Sequence, residues 1–140
     1  MTAMPASLLT AIVTVLALVM FFWTGLRVGE MRGKHSISAP ATSGHPEFDR
    51  AYRVQMNTLE QIVVFLPLLW LSNAYFMMWP YLTGALGLVW IVGRIIYALA
   101  YMADPSTRST GFIISLVASG GLLITTVIGM VHAWMALGAA

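Results

Sequence analysis

The chain has 140 residues, of which 59% are hydrophobic and 9% charged, with a formal net charge of +2. Soluble domains carry about 25% charged residues, so a chain this poor in charge cannot solvate a surface of its own and reads as a membrane protein. The basic residues form no single patch, which argues against a nucleic-acid partner, and the absence of cysteine excludes disulfide scaffolds, thiolate metal sites and dithiol redox chemistry.

A helix needs about 20 apolar residues to cross the hydrocarbon core of a bilayer. Four predominantly apolar stretches meet that length, at about 7–26, 54–71, 81–102 and 111–137. Backbone groups in lipid must be satisfied within their own segment, so helices are expected rather than strands. The expected fold is an all-α integral membrane four-helix bundle, one domain over residues 1–140, with both termini on the same side. The first stretch has no basic residue before it and is followed by Arg27, Arg32 and Lys34. That order is the reverse of a signal sequence, and the stretch reads as a retained span.

The connection at about 29–45 is polar, and its His35 and His45 are expected in a flexible, solvated loop. Pro46 suits a first helical turn, and Glu47 and Asp49 suit a helix N-terminus, so the second helix is predicted to start ahead of the membrane. The connection at about 72–80 is short and aromatic (Tyr75, Phe76, Trp79), as at a lipid–water interface. That at about 103–110 holds Asp104, Pro105 and Arg108, with Ser109 or Thr110 available as a cap. Six of the seven basic residues lie in or beside the first and third connections. The positive-inside rule places both on the cytoplasmic side (of the inner membrane, in a bacterial cell) and the termini opposite.

In the fourth stretch Gly111, Ser115 and Ser119 recur at intervals of four, a small-residue stripe for close helix packing. His132 stands alone there and is read as packing rather than a ligand. No metal site is expected. The ten methionines are read as filler or lipid-facing residues.

Two ionisable residues fall well inside spans, Glu60 in the second and Arg94 in the third. Each costs about 2.5–3.5 kcal/mol at mid-span and needs a partner or a wet cavity. Glu60 lies ten residues beyond Arg50, and Arg94 ten before Asp104, which puts both roughly 15 Å below the charge layer on antiparallel helices. Arg53, Asn57 and Glu60 share one helical face, bordered by Gln61, whereas Gln55 points elsewhere, toward a neighbouring chain. Arg94, Tyr97 and Tyr101 share another face that leads on to Arg108. A buried Glu–Arg pair can serve only to hold a bundle in register. Here, however, one carboxylate faces Arg53, Arg94 and Arg108. The surplus of guanidinium asks for an anion with carboxylates, and Glu60 suits an amine on the same ligand.

The run Glu47-Phe48-Asp49-Arg50-Ala51-Tyr52-Arg53-Val54-Gln55-Met56-Asn57-Thr58-Leu59-Glu60 contains R-x-Q-x-N-x-x-E in full. A second run extends from Gly87 to Tyr97 and is followed by Tyr101 and Arg108. Together they resemble the MAPEG family, membrane-associated proteins in eicosanoid and glutathione metabolism, nearest its microsomal glutathione transferase 3 and leukotriene C synthase branch. The resemblance implies a homotrimer of four-helix subunits with glutathione, the co-substrate, held between subunits near the cytoplasmic face. It implies that Arg53, Asn57 and Glu60 hold the peptide, that Gln55, Tyr97 and Tyr101 complete the site, and that Arg94 pairs within this network. Arg32 matches a family arginine that contacts glutathione, and Arg108 the arginine beside its sulfur.

A thiol of pKa about 8.5 is mostly protonated at neutral pH, and a guanidinium beside it favours the thiolate. Arginine, with a pKa above about 12, stabilises that anion and does not accept its proton. The implied activity is glutathione transferase or peroxidase, the thiolate attacking an apolar electrophile or a lipid hydroperoxide that arrives from the bilayer. Gly33 stands where leukotriene C synthase has a second arginine, Gln61 where it has a tyrosine, and Pro67 a turn beyond its proline. The alternative is a non-catalytic lipid- or glutathione-binding scaffold of the same fold. A small four-helix exporter would need an acidic residue in the first span, which has no charge before Arg27.

Overall fold

The computed structural model describes residues 4–139. It contains four long helices, α1 (Ala6–His35), α2 (Pro46–Tyr75), α3 (Leu82–Ala103) and α4 (Ser109–Gly138), with a single 3-10 turn at Pro105–Thr107. All four helices are long and apolar enough to cross a bilayer, and no strand occurs among the described residues. The fold is the all-α membrane bundle expected from the apolar stretches. Successive helices run antiparallel, so the start of α1, the end of α4 and the α2–α3 connection share one face of the bundle.

The helices outrun the apolar stretches. Helix α1 continues through residues expected in a connection, because Glu30, Met31, Arg32 and Lys34 are good helix formers and Val28 and Met31 bury against Phe48 and Ala51 of α2. It stops at Ser36, whose left-handed backbone (φ 54°) turns the following Ile37 N–H back onto the Arg32 carbonyl at 3.0 Å. The connection is therefore residues 36–45, and His35 is helical. The expectation of two solvated loop histidines does not hold. The half-buried His35 ring stacks on His45 at 3.5 Å, and its Nε2 lies 2.9 Å from Glu47 Oε2.

Helix α2 begins at Pro46 as predicted, and His45 caps it by accepting the Glu47 N–H at Nδ1. Its far end continues to Tyr75. Ser72, expected in a connection, is instead buried, its hydroxyl 2.7 Å from that of Thr83 and 2.8 Å from that of Thr125. Three small hydroxyl residues on three helices satisfy one another there. Toward mid-bundle the core is apolar, with Val13, Phe65, Leu69, Trp90 and Leu122 fully buried and Phe65 stacked on Trp90 at 3.9 Å.

Helices α3 and α4 cross at backbone contact. A Cβ on Gly111 would fall on the Tyr97 backbone, and one on Gly93 would lie 2.7 Å from the Ser115 nitrogen. Gly111, Ser115 and Ser119 are all buried, so the stripe does pack. The turn between these helices is held by Asp104, which accepts the Ser106 N–H at 2.9 Å, while the Thr107 hydroxyl donates to the Asp104 carbonyl at 2.8 Å. Neither Ser109 nor Thr110 caps α4. The helix opens directly from Arg108, whose carbonyl accepts the Phe112 N–H, because the 3-10 turn hands its backbone straight on to the helix.

Two predictions follow from this packing. Gly111→Ala forces α3 and α4 apart and lowers stability by roughly 1–3 kcal/mol, read as a lower melting temperature in detergent. Gly120→Ala, where a Cβ meets nothing within 4 Å, leaves the melting temperature unchanged or raised. The Ser106 N–H bond holds the Asp104 carboxyl below its ordinary value of 3.8. Its stabilising effect is thus complete above that value and is lost as pH falls through the lowered one. Asp104→Asn, which keeps an acceptor but does not titrate, should lose less helical circular dichroism than the wild type between roughly pH 4 and pH 2.

Candidate functional site

The site is built around Arg94, which is 0% exposed in the middle of α3. Its Nη2 donates to Asn57 Oδ1 at 3.1 Å and to Thr58 Oγ1 at 2.8 Å, both on α2. The guanidinium carbon lies 4.1 Å from the centre of the Tyr97 ring. Arg94 thus pairs into the polar network through Asn57, and it makes no hydrogen bond or ion pair to Glu60, which the sequence reading placed at the same depth. Residues advance 100° around a helix, so Thr58 and Glu60 point about 200° apart. Thr58 faces the core and Glu60 faces outward, linked to the network only through the Asn57 amide, which donates to its Oε2 at 3.4 Å.

Thr58 escaped the sequence reading. It belongs to a core-facing series with Ala51, Val54, Ile62 and Phe65, all buried. That spacing marked it for the core, and a hydroxyl on a core face opposite a buried arginine is the signal that could have found it.

Beside Arg94 a cleft of about 410 Å³ opens between α2, α3 and the start of α4, lined by Asn57, Tyr97, Ser106, Arg108, Ser109 and Phe112. The α3–α4 crossing at Gly111 holds Tyr97 against the base of α4, so the turn carries Arg108 to the mouth of this cleft. Arg108 is exposed, and its Nη1 donates to the Pro105 carbonyl at 2.8 Å. Its guanidinium carbon lies 5.7 Å from the Tyr101 ring, and Tyr101 lies 5.6 Å from Tyr97. Arg94, Tyr97, Tyr101 and Arg108 thus form one continuous run from core to mouth, cation and ring in contact at each end.

The other expected residues lie apart from this cleft within one chain. Arg53 and Glu60 are exposed on the outward face of α2, among exposed Leu59, Val63 and Val64. Gln55 points away from that face, as expected, but toward α1 of its own chain, its Nε2 3.1 Å from where a Cβ on Gly25 would stand. Arg32 lies over the Phe48 ring at 4.7 Å, with its Nη1 buried and unpartnered. Gln61 is half-buried, and His132 is exposed near the end of α4.

The electrostatics of the cleft are simple. Among the described residues the ion pairs are Arg27–Glu30, Lys34–Glu47 and His35–Glu47, so Arg32, Arg53, Arg94 and Arg108 have no carboxylate partner. A guanidinium open to solvent and free of a carboxylate attracts an anion. The cleft lining contains a phenol, an amide and two hydroxyls but no histidine or carboxylate. Such a lining can bind and stabilise an anion, and it offers no ordinary general base.

The sequence pattern of the MAPEG family matches residues 10–128. Microsomal glutathione S-transferase 2 of Homo sapiens is 37% identical over 123 residues, covering 88% of this chain and 80% of that protein. Leukotriene C4 synthase of Cavia porcellus is 33% identical over 122 residues, covering 87% and 80%. An uncharacterized protein of Synechocystis sp. is 40% identical over 114 residues, covering 81% and 82%. A four-helix membrane bundle, a motif-bearing pair of helices around Arg94 and similarity along nearly the whole length lead to one conclusion: the chain belongs to the MAPEG family.

Proposed function

We propose that the chain is a membrane glutathione-dependent transferase, with peroxidase activity through the same activated thiol. The observation that carries this reading is Arg108, an uncompensated guanidinium at the mouth of a cleft lined by Asn57 and Tyr97. The names of the relatives, a glutathione transferase and leukotriene C4 synthase, support it.

In this reading Arg108 lies beside the glutathione sulfur. Its positive charge favours the thiolate, and the thiol proton leaves to water at the open mouth of the cleft. The sulfur then bonds to an electrophilic carbon as that carbon's leaving group departs, or takes the terminal oxygen of a lipid hydroperoxide as the O–O bond breaks, releasing the alcohol and a sulfenic acid that a second glutathione converts to glutathione disulfide and water. The electrophile is apolar and enters from the bilayer. Asn57, Tyr97 and Tyr101 line the peptide, and Arg94 fixes Asn57 and Tyr97 in place.

Arg32, Arg53, Gln55 and Glu60 complete the glutathione site from a second subunit. Arg53 and Glu60 motivate that assignment, since each is a charged group exposed on an otherwise apolar face of a spanning helix. In lipid this costs about 2.5–3.5 kcal/mol for Glu60, which lies well inside the span, and a neighbouring copy relieves it. A homotrimer is the assembly we propose. The site sits at the end where basic residues gather, which the positive-inside rule makes cytoplasmic.

Glutathione conjugation of an aryl halide and ultraviolet thiolate absorbance, compared between wild type and Arg108→Ala, test the proposal. The variant is expected to lose roughly 100-fold in conjugation rate, the scale for removing one anion-stabilising donor, and to lose thiolate absorbance while still binding glutathione. Equal absorbance in the two proteins would take Arg108 out of its role. Binding without conjugation in the wild type would leave the scaffold reading. Asn57→Ala should weaken glutathione binding by about tenfold, measured by titration calorimetry.

A further inference from the structure

We propose that His35, His45 and Glu47 form a site for a divalent transition metal, Zn²⁺ by its donor chemistry, at the junction of α1 and α2. None of the three belongs to the glutathione cleft, and the inference does not depend on that reading. His35 is the last residue of α1, His45 the cap of α2, and Glu47 lies in the first turn of α2. Each offers one donor atom, and these atoms all lie within 4.8 Å of one another. The two imidazole rings stack at 3.5 Å, tilted by 13°. The His35 side chain is largely shielded, at 16% exposure, whereas that of Glu47 is open to solvent at 41%.

The present contacts of Glu47 show what the site asks for. Its Oε2 lies 2.9 Å from His35 Nε2 and 2.7 Å from Lys34 Nζ. One carboxylate oxygen is thus addressed by two nitrogens at once, while His45 Nδ1 takes only the long 3.3 Å bond from the Glu47 N–H. A single divalent ion replaces this arrangement. The proton on His35 Nε2 moves to Nδ1, freeing the Nε2 lone pair. His45 Nδ1 exchanges its long bond for the metal, and Lys34 swings into solvent, giving up an exposed ion pair of little net worth.

Two neutral imidazoles and one carboxylate make a donor set that zinc takes at about 2.0–2.2 Å, leaving a fourth position for water. Tetrahedral coordination needs donors about 3.3 Å apart at those bond lengths, a contraction that side-chain rotation supplies. The bound ion ties the ends of a ten-residue connection (residues 36–45) and so closes a loop. It also fixes the last turn of α1, where Arg32 lies over Phe48, the residue after Glu47.

The full chain in detergent, carrying no histidine tag, is titrated with Co²⁺ and then with Zn²⁺ in competition. The expected result is one equivalent of Co²⁺ with visible tetrahedral absorption, displaced by Zn²⁺, and a raised melting temperature with Zn²⁺. His35→Gln, His45→Asn and Glu47→Gln should each weaken binding at least about tenfold, because even outer-shell partners of a metal are worth that much. Asn at 45 retains a helix-capping side chain, and circular dichroism of all variants confirms folding. Lys34→Ala removes the competing ammonium and should tighten binding several-fold. His132→Gln, at the chain's only other histidine, should change nothing. Absence of tetrahedral bands, a signal that survives His35→Gln or Glu47→Gln, or one that depends on His132 would overturn the proposal.

Discussion

A guanidinium sealed inside a membrane bundle needs acceptors, and the rest of the site depends on how Arg94 finds them. Asn57 and Thr58 supply oxygens to Nη2, and Tyr97 covers the guanidinium face, while Nε and Nη1 are buried without a partner. Those contacts lock α2 against α3 at one depth and one rotation, since a slip of a single residue on either helix would leave the charge with no acceptor. They also turn the Asn57 amide toward Glu60 and hold Tyr97 at the wall of the cleft. The second constraint lies between α3 and α4, where backbone contact at Gly93 and Gly111 delivers Arg108 to the same place.

Much of this was legible in the residues. The distribution of charge marked four spanning helices, Pro46 marked where α2 begins, and the Gly111, Ser115 and Ser119 spacing marked a packing seam. Hydropathy reports the stretch that lipid covers, however, not where hydrogen bonding stops. It therefore missed that α1 reaches His35 and that α2 carries Ser72 inside the bundle. Counting residues from the charge layer located Arg94 and Glu60 at one depth but did not resolve the angle around the helix. That angle decides between Thr58 and Glu60 as partner. The meeting of His35 with His45 depends on how the connection folds back, which no local pattern encodes.

One chain holds only part of the proposed glutathione site. Arg108, Asn57, Tyr97 and Tyr101 gather at one cleft, whereas Arg53 and Glu60 look outward and Gln55 rests against α1. Such a division suits a ligand held between copies, with each α2 giving its inner face to its own bundle and its outer face to the next. It also explains how polar residues at unlike angles on one helix can serve a single ligand. In the proposed assembly they meet around one ligand only when a neighbour is added.

The apolar layer of Val13, Phe65, Leu69, Trp90 and Leu122 separates the Arg94 network from the mutually bonded hydroxyls of Ser72, Thr83 and Thr125. The Arg94 network thus lies on one side of a closely packed apolar layer, and on the other lie three hydroxyls that bond one another and, through Thr125, the Gly121 and Leu122 carbonyls. In the proposed reading, a charged peptide held at the cleft enters the bundle from one side only, with that apolar layer as its floor.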